Sequence, residues 1–116
     1  MKDTDQIKEK ILGYIDEHYE IPIYKLETLF DDLEFDYKGE KIINNANNKY
    51  LVYWEKWNIE ACNILCELVH ENKIKLINTQ SIVMLYLLDG QCPNLPLAVT
   101  DQPETYSWVP TKLKLA

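Results

Sequence analysis

Between Asn58 and Leu88 the spacing of apolar residues changes character without a break. Cys62, Leu65, Cys66 and Val69 fall at i, i+3, i+4 and i+7, a stripe that a helix gathers onto one face. Ile64 and Leu68 widen it, so this helix is expected to be well covered. Asn58 suits an N-cap, because its side-chain oxygen can accept a first-turn backbone N–H. Asn72 suits the far end, because asparagine tolerates a left-handed backbone. Lys73-Ile74-Lys75-Leu76 then alternates like a half-buried strand, and Asn78-Thr79-Gln80-Ser81 has turn composition. Ile82 to Leu88 is seven apolar residues in a row, so periodicity cannot assign its faces. Its length and the closing Asp89-Gly90 favour a second strand, paired with the first.

The N-terminal part reads as helical. Ile7, Ile11 and Ile15 mark a first helix over residues 5–19, with Asp3 and Gln6 as a capping pair. Gly13 weakens that helix by about 1 kcal/mol relative to alanine and suggests a close approach of another element. Proline forces the residue before it into extended geometry, so Ile21 to Ile23 reads as a one-rung strand. A second helix is expected from Tyr24 to Leu33, burying Leu26, Leu29, Phe30 and Leu33. His18 sits where an imidazole suits a helix C-terminus.

Residues 40–57 read as a β-hairpin, with strands over Glu40–Asn44 and Lys49–Trp54 and a turn at 45–48. Tyr50, Val52 and Trp54 would face one side and Leu51 and Tyr53 the other. Both faces are apolar, so the hairpin is either covered twice or offers one face to a partner. Prolines 93, 96, 103 and 110 then confine the tail to extended straps over the core. Lys112-Leu113-Lys114-Leu115 alternates and reads as a last edge strand.

The chain is expected to form one α+β domain over its 116 residues: an acidic helical part (1–39), a hairpin (40–57), a third helix with a strand pair (58–88) and an extended tail (89–116). No apolar run approaches the roughly 20 residues that span a bilayer. The N-terminus lacks an apolar leader segment, so a cytoplasmic location and no membrane partner are expected. Three cysteines without a leader read as free thiols.

The order of elements resembles the winged helix-turn-helix superfamily. Ile64 to Leu76 carries the resemblance, as the end of that family's recognition helix running into its first wing strand, and Tyr24–Leu33 matches the preceding helix. The resemblance covers roughly residues 5–88. It implies a winged-helix-like fold of three helices with an inserted hairpin, a C-terminal wing hairpin and an extended Pro-rich tail. In DNA-binding members the third helix enters the major groove and the wing touches phosphate.

Charge argues against that use here. Residues 1–40 hold twelve of the nineteen acidic residues and five of the twelve lysines, and so carry the whole net charge of −7. There is no arginine, the commonest specific reader of guanine. A nucleic-acid binder needs a basic stripe. The leading expectation is therefore a non-enzymatic interaction module, regulator or inhibitor with a protein partner, possibly a basic one. The candidate docking residues are Glu27, Asp31, Asp32, Glu34 and Asp36, with Trp54 and Trp57 as the place to look for an exposed aromatic pair, although core packing is the simpler reading for a tryptophan in a domain of this size. The alternative is a DNA-binding regulator using Asn58, Asn63, Lys73, Lys75, Asn78, Thr79 and Gln80, with a homodimer gathering its sparse lysines. A third is a metal or redox sensor at Cys62, Cys66 and His70, where core packing of the thiols is the simpler reading. No cofactor, catalytic set or nucleotide cradle is expected.

Overall fold

The computed structural model describes residues 4–100 and 102–116. The capping role read for Asp3 lies outside the described residues. Ile7, Ile11 and Ile15 are buried on one face of α1 (Thr4–His18), as their spacing of four requires. The chain reverses at Tyr19, whose φ is 70°. It continues through the short strand β1 (Glu20–Pro22) into α2 (Lys25–Asp32). His18 stays over the end of α1, with Nδ1 2.8 Å from the Tyr14 carbonyl.

The hairpin forms as β2 (Lys38–Asn44) and β3 (Leu51–Trp57), antiparallel. Its turn is held by Asn45, whose Oδ1 accepts the N–H groups of Asn47 and Asn48. Leu51, Val52, Tyr53 and Trp54 are all buried, so β3 is covered on both faces, whereas in β2 only Ile43 is buried. Gly39 explains the tight junction that follows. A Cβ there would stand 2.6 Å from Asn58 Cα and 2.9 Å from the Trp57 carbonyl. By contrast, a Cβ at Gly13 would meet nothing within 4 Å, so that glycine marks no close approach.

Asn58 caps α3 (Ile59–His70) by accepting the Ala61 N–H at 2.8 Å. Asn72, at φ 59°, closes it. The Asn72 N–H donates to Val69 O and the Lys73 N–H to Leu68 O, satisfying carbonyls that a helix end leaves free. Of the expected stripe Cys62 and Leu65 are buried, Val69 is half-buried and Cys66 is exposed. β4 (Ile74–Asn78) follows.

The next segment corrects the expected strand pair. Residues 82–88 do not pair with β4. Gln80–Ile82 forms a 3-10 turn and Val83–Leu88 forms a fourth helix, α4. Thr79 starts the turn by accepting the Ser81 N–H, and methionine and leucine favour a helix locally. Gly90, at φ 65°, ends α4, with the Gln91 N–H on Tyr86 O. Asp89-Gly90 therefore closes a helix and does not bound a strand.

β4 pairs with the C-terminal strand β6 (Thr111–Leu115) instead. β6 also pairs with β1, so the sheet order is β1-β6-β4 and β6 is its centre. The expectation of an edge strand at 112–115 is thus corrected. Leu113 and Thr111 are fully buried, which suits a strand with neighbours on both sides. Between α4 and β6 the tail straps the hairpin: β5 (Ser107–Trp108) runs parallel to β3, and Leu97 bridges to Trp108. The architecture is α+β, with four α-helices and two three-stranded sheets among the described residues. Trp57, Tyr86 and Phe30 head the fully buried side chains of one core. No helix of the described residues is long and apolar enough to cross a membrane.

Candidate functional site

α2 lies against the hairpin through Glu27. Its Oε2 accepts the indole N–H of Trp54 at 2.8 Å and that of Trp57 at 2.9 Å. Buried donors need an acceptor, so one half-buried carboxylate satisfies two buried rings. Trp54 is 5% exposed and Trp57 is fully buried. Of the two readings open for these tryptophans the structure shows core packing: both rings are buried, and Glu27 is the acceptor that lets them be so.

Glu27 also forms the floor of two adjoining hollows. One, of about 410 Å³, opens beside Trp54, Lys38, Lys56, Cys92 and Pro93. The other, of about 390 Å³, opens beside Tyr24, Lys25, Asp31 and Asp89. Glu27, Tyr37 and Gln91 line both. Tyr24 donates its hydroxyl to Asp89 and Lys25 stands 3.6 Å from the same carboxylate. Burial pushes the Tyr37 phenol up to about 12, helped by the charges of Glu27 and Asp31. Burial, then the Asp89 contact, raises Tyr24 as well. Both hydroxyls therefore stay protonated at neutral pH and serve as donors.

The remaining acidic residues spread outward. Asp31 reaches the second hollow, while Asp32, Glu34 and Asp36 are exposed at and beyond the end of α2. Asp36 accepts the Lys38 N–H with its side chain and the Asn58 side-chain amide with its carbonyl.

Several of the residues proposed for reading DNA are engaged within the fold. The Asn58 side chain is engaged at the α3 cap. Asn78 accepts the Thr111 hydroxyl, Thr79 caps the 3-10 turn, and Gln80 donates to the Ala98 carbonyl at 2.6 Å. Asn63 is exposed on α3 among Glu60, Glu67 and His70. Lys73 lies 3.9 Å from Glu71. Lys75 is exposed on β4, and Lys8 of α1 is drawn to Glu67 at 2.9 Å.

Cys62 is buried, whereas Cys66 and His70 are exposed on α3. Burial pushes the Cys62 thiol up, and partial desolvation beside the Glu67 charge pushes Cys66 up although the residue is exposed, so neither is poised as a thiolate. Among the described residues no three His, Cys, Asp or Glu side chains gather as a metal-binding set.

The feature that sequence reasoning missed is α4. Met84, Leu85, Leu87 and Leu88 are 57%, 45%, 55% and 77% exposed, while Tyr86 between them is fully buried. The signal was present as an uninterrupted apolar run, but the run was assigned to a strand.

Compared with known proteins, the chain matches no family model, no curated protein and no solved structure.

Proposed function

We propose that this chain is a non-enzymatic interaction module on a winged-helix-like scaffold, docking a protein partner on α4. With the β2–β3 hairpin, α4 and β5 set aside as insertions, the remaining order α1, β1, α2, α3, β4, β6 supports the scaffold, β6 taking the place read for residues 82–88. The exposed face of α4 carries the functional reading. Large contiguous apolar surface in water is unfavourable and marks contact sites. α4 leaves Met84, Leu85, Leu87 and Leu88 exposed, while Tyr86 is buried and Val83 packs in part against the core.

Charge selects the partner. Tyr24 of the α2 N-terminus holds Asp89 at the end of α4, so the apolar face adjoins the hollow of Glu27, Asp31 and Asp89. A complementary surface has apolar side chains flanked by lysine or arginine. DNA reading is disfavoured because α3 presents Glu60, Glu67 and Glu71 outward.

Affinity capture with the full chain and with the double variant Leu85→Ser, Leu88→Ser tests this. A partner with a basic, apolar contact surface that binds the parent and is lost by the variant supports the reading. Equal capture by both, with circular dichroism unchanged, overturns it. A concentration-dependent dimer that the variant abolishes makes a second copy of the chain the partner. Salt-sensitive duplex binding at low ionic strength that the variant retains favours the DNA reading instead.

A further inference from the structure

The open edges of the two sheets are not alike. β1 is three residues long and ends at Pro22, which has no N–H to offer a neighbour. β2 exposes Lys38, Glu40 and Lys41 and repeatedly slips register against β3. Charges, bulges and short strands are the usual means by which an edge avoids pairing. β4 has fewer of them. It pairs with β6 at five successive positions without a slip, it contains no proline, and Lys75 is its one charge. Beyond its ends Lys73 O accepts the Ala116 N–H at 3.1 Å, and the Thr79 N–H donates to Pro110 O at 2.9 Å. Bonded positions alternate along an antiparallel ladder, so Lys75 and Ile77 also turn their backbone groups to β6. Ile74, Leu76 and Asn78 turn theirs away, and among the described residues nothing bonds those N–H and C=O groups.

We propose that β4 pairs antiparallel with β4 of a second copy of this chain, about a twofold axis at Leu76. The free positions choose that occupant. They are symmetric about Leu76, so Leu76 meets its own counterpart and Ile74 meets Asn78 on either side of the axis. A twofold contact needs a surface complementary to itself, and here every outward N–H and C=O of the strand finds a partner. The side chains agree with this register. Ile74 is buried and Leu76 packs in part against the core, so alternation puts Lys75 and Ile77 on the other face. Across the axis Lys75 stands opposite Ile77, and no like charges face each other directly. The lysine stem covers the isoleucine while its charge stays in water. Net charge agrees as well. Residues 41–116 are balanced, so two chains of −7 meet away from their acidic first thirds. The product is one continuous sheet in the order β1-β6-β4-β4-β6-β1. A strand of this length covers less than the about 800 Å² per partner of a standard stable interface, so the dimer forms only at high concentration. It uses no residue of α4 and does not rest on the interaction reading.

Sedimentation equilibrium of the full chain from about 10 μM to about 1 mM should show a monomer–dimer equilibrium. Hydrogen exchange followed by NMR reads which amides the contact covers. Those of Ile74, Leu76 and Asn78 should slow as concentration rises, while those of Lys75 and Ile77, bonded to β6 in the single chain, should change least. Position 77 gives a test of opposite signs. Ile77→Glu sets a carboxylate opposite Lys75 of the other copy and should tighten the dimer about fivefold, although it makes each chain more negative. Ile77→Lys sets like charges there and should weaken it about fivefold. Ile77 also faces Lys112 within the chain, so urea denaturation of the dilute protein checks that each variant folds. If Ile77→Lys does not fold, Ile77→Glu and the exchange pattern still decide. The α4 double variant Leu85→Ser, Leu88→Ser should dimerise like the parent. A monomer throughout, no tightening by Ile77→Glu, or a dimer abolished by the α4 double variant overturns the edge pairing. Association that continues past the dimer overturns it too, because a twofold contact closes on itself. Loss of partner capture through α4 with the dimer intact sinks the interaction reading alone, and capture without a dimer sinks the edge alone.

Discussion

α3 and α4 are written in similar residues and sit oppositely in the molecule. α3 runs twelve residues, is capped at both ends, and buries Ala61, Cys62, Ile64, Leu65 and Leu68. α4 runs six residues and buries Tyr86 alone. Yet α4 is the more uniformly apolar of the two. The difference teaches that apolar content measures how much surface a segment would gain by covering, and that covering depends on a neighbour. α3 has α1, β2 and β4 against it. α4 is pinned by one ring, whose hydroxyl donates to the Thr111 carbonyl at 2.7 Å and accepts the Thr111 N–H at 3.1 Å. Val83 packs in part against the core, and Met84, Leu85, Leu87 and Leu88 stay exposed.

The contrast can be broken most directly by truncating one leucine in each helix. Leu68→Ala should cost about 2–5 kcal/mol, because a fully buried side chain leaves a cavity. Leu88→Ala should change stability by no more than about 0.5 kcal/mol. Urea denaturation of the two variants checks both, and equal losses would make α4 a core helix and end the comparison.

Tyr86→Phe comes next, with an expected loss of about 1–3 kcal/mol, because the Thr111 N–H is left without its acceptor. Burial pushes this phenol from 10.0 up to about 12. The unfolded chain therefore gives up the proton first. The stability tied to the neutral ring is intact below pH 10 and falls as pH rises from there towards 12. The fall in the urea midpoint across that window should be smaller in Tyr86→Phe.

Asn58→Ala tests the capped partner in the comparison. It should lose about 1 kcal/mol by thermal melting, from the vacated Ala61 N–H. Gly13→Ala should act in the opposite direction, a gain of about 0.4–1 kcal/mol, since the added methyl meets nothing and the unfolded chain loses freedom. A loss there would mean that α1 packs more tightly than its open face indicates.

Much of the framework was legible because its causes are local. The spacing of Ile7, Ile11 and Ile15 already defined the buried face of α1, and Asn45 to Asn48 the hairpin turn. The candidate site was legible only in part. Glu27 and Asp31 were named as acids for a partner, and they do line the cleft. Tyr24, Tyr37 and Asp89 were not named as site residues, because they reach it from α2, the loop before β2 and the end of α4. Those positions are up to 65 residues apart in the chain, as Tyr24 and Asp89 show. Trp54 and Trp57 were left between two readings for a related reason. A tryptophan is equally suited to a core and to a contact surface until the acceptor for its N–H is known.

By itself the sequence determined the features that depend on a few neighbouring residues: the cap at Asn58, the left-handed turn at Asn72, the extended geometry before Pro22, and the acidic first third. Only the tertiary structure decided which strand completes the sheet with β4. Residues 82–88 and 111–115 both carried enough apolar side chains to compete for that edge. The second won, because β6 bonds to β1 and β4 at once, while the first could form a helix and hold its place through Tyr86. That choice turned an expected wing strand into an exposed apolar helix beside an acidic cleft, since pairing depends on what the rest of the chain brings within hydrogen-bonding distance.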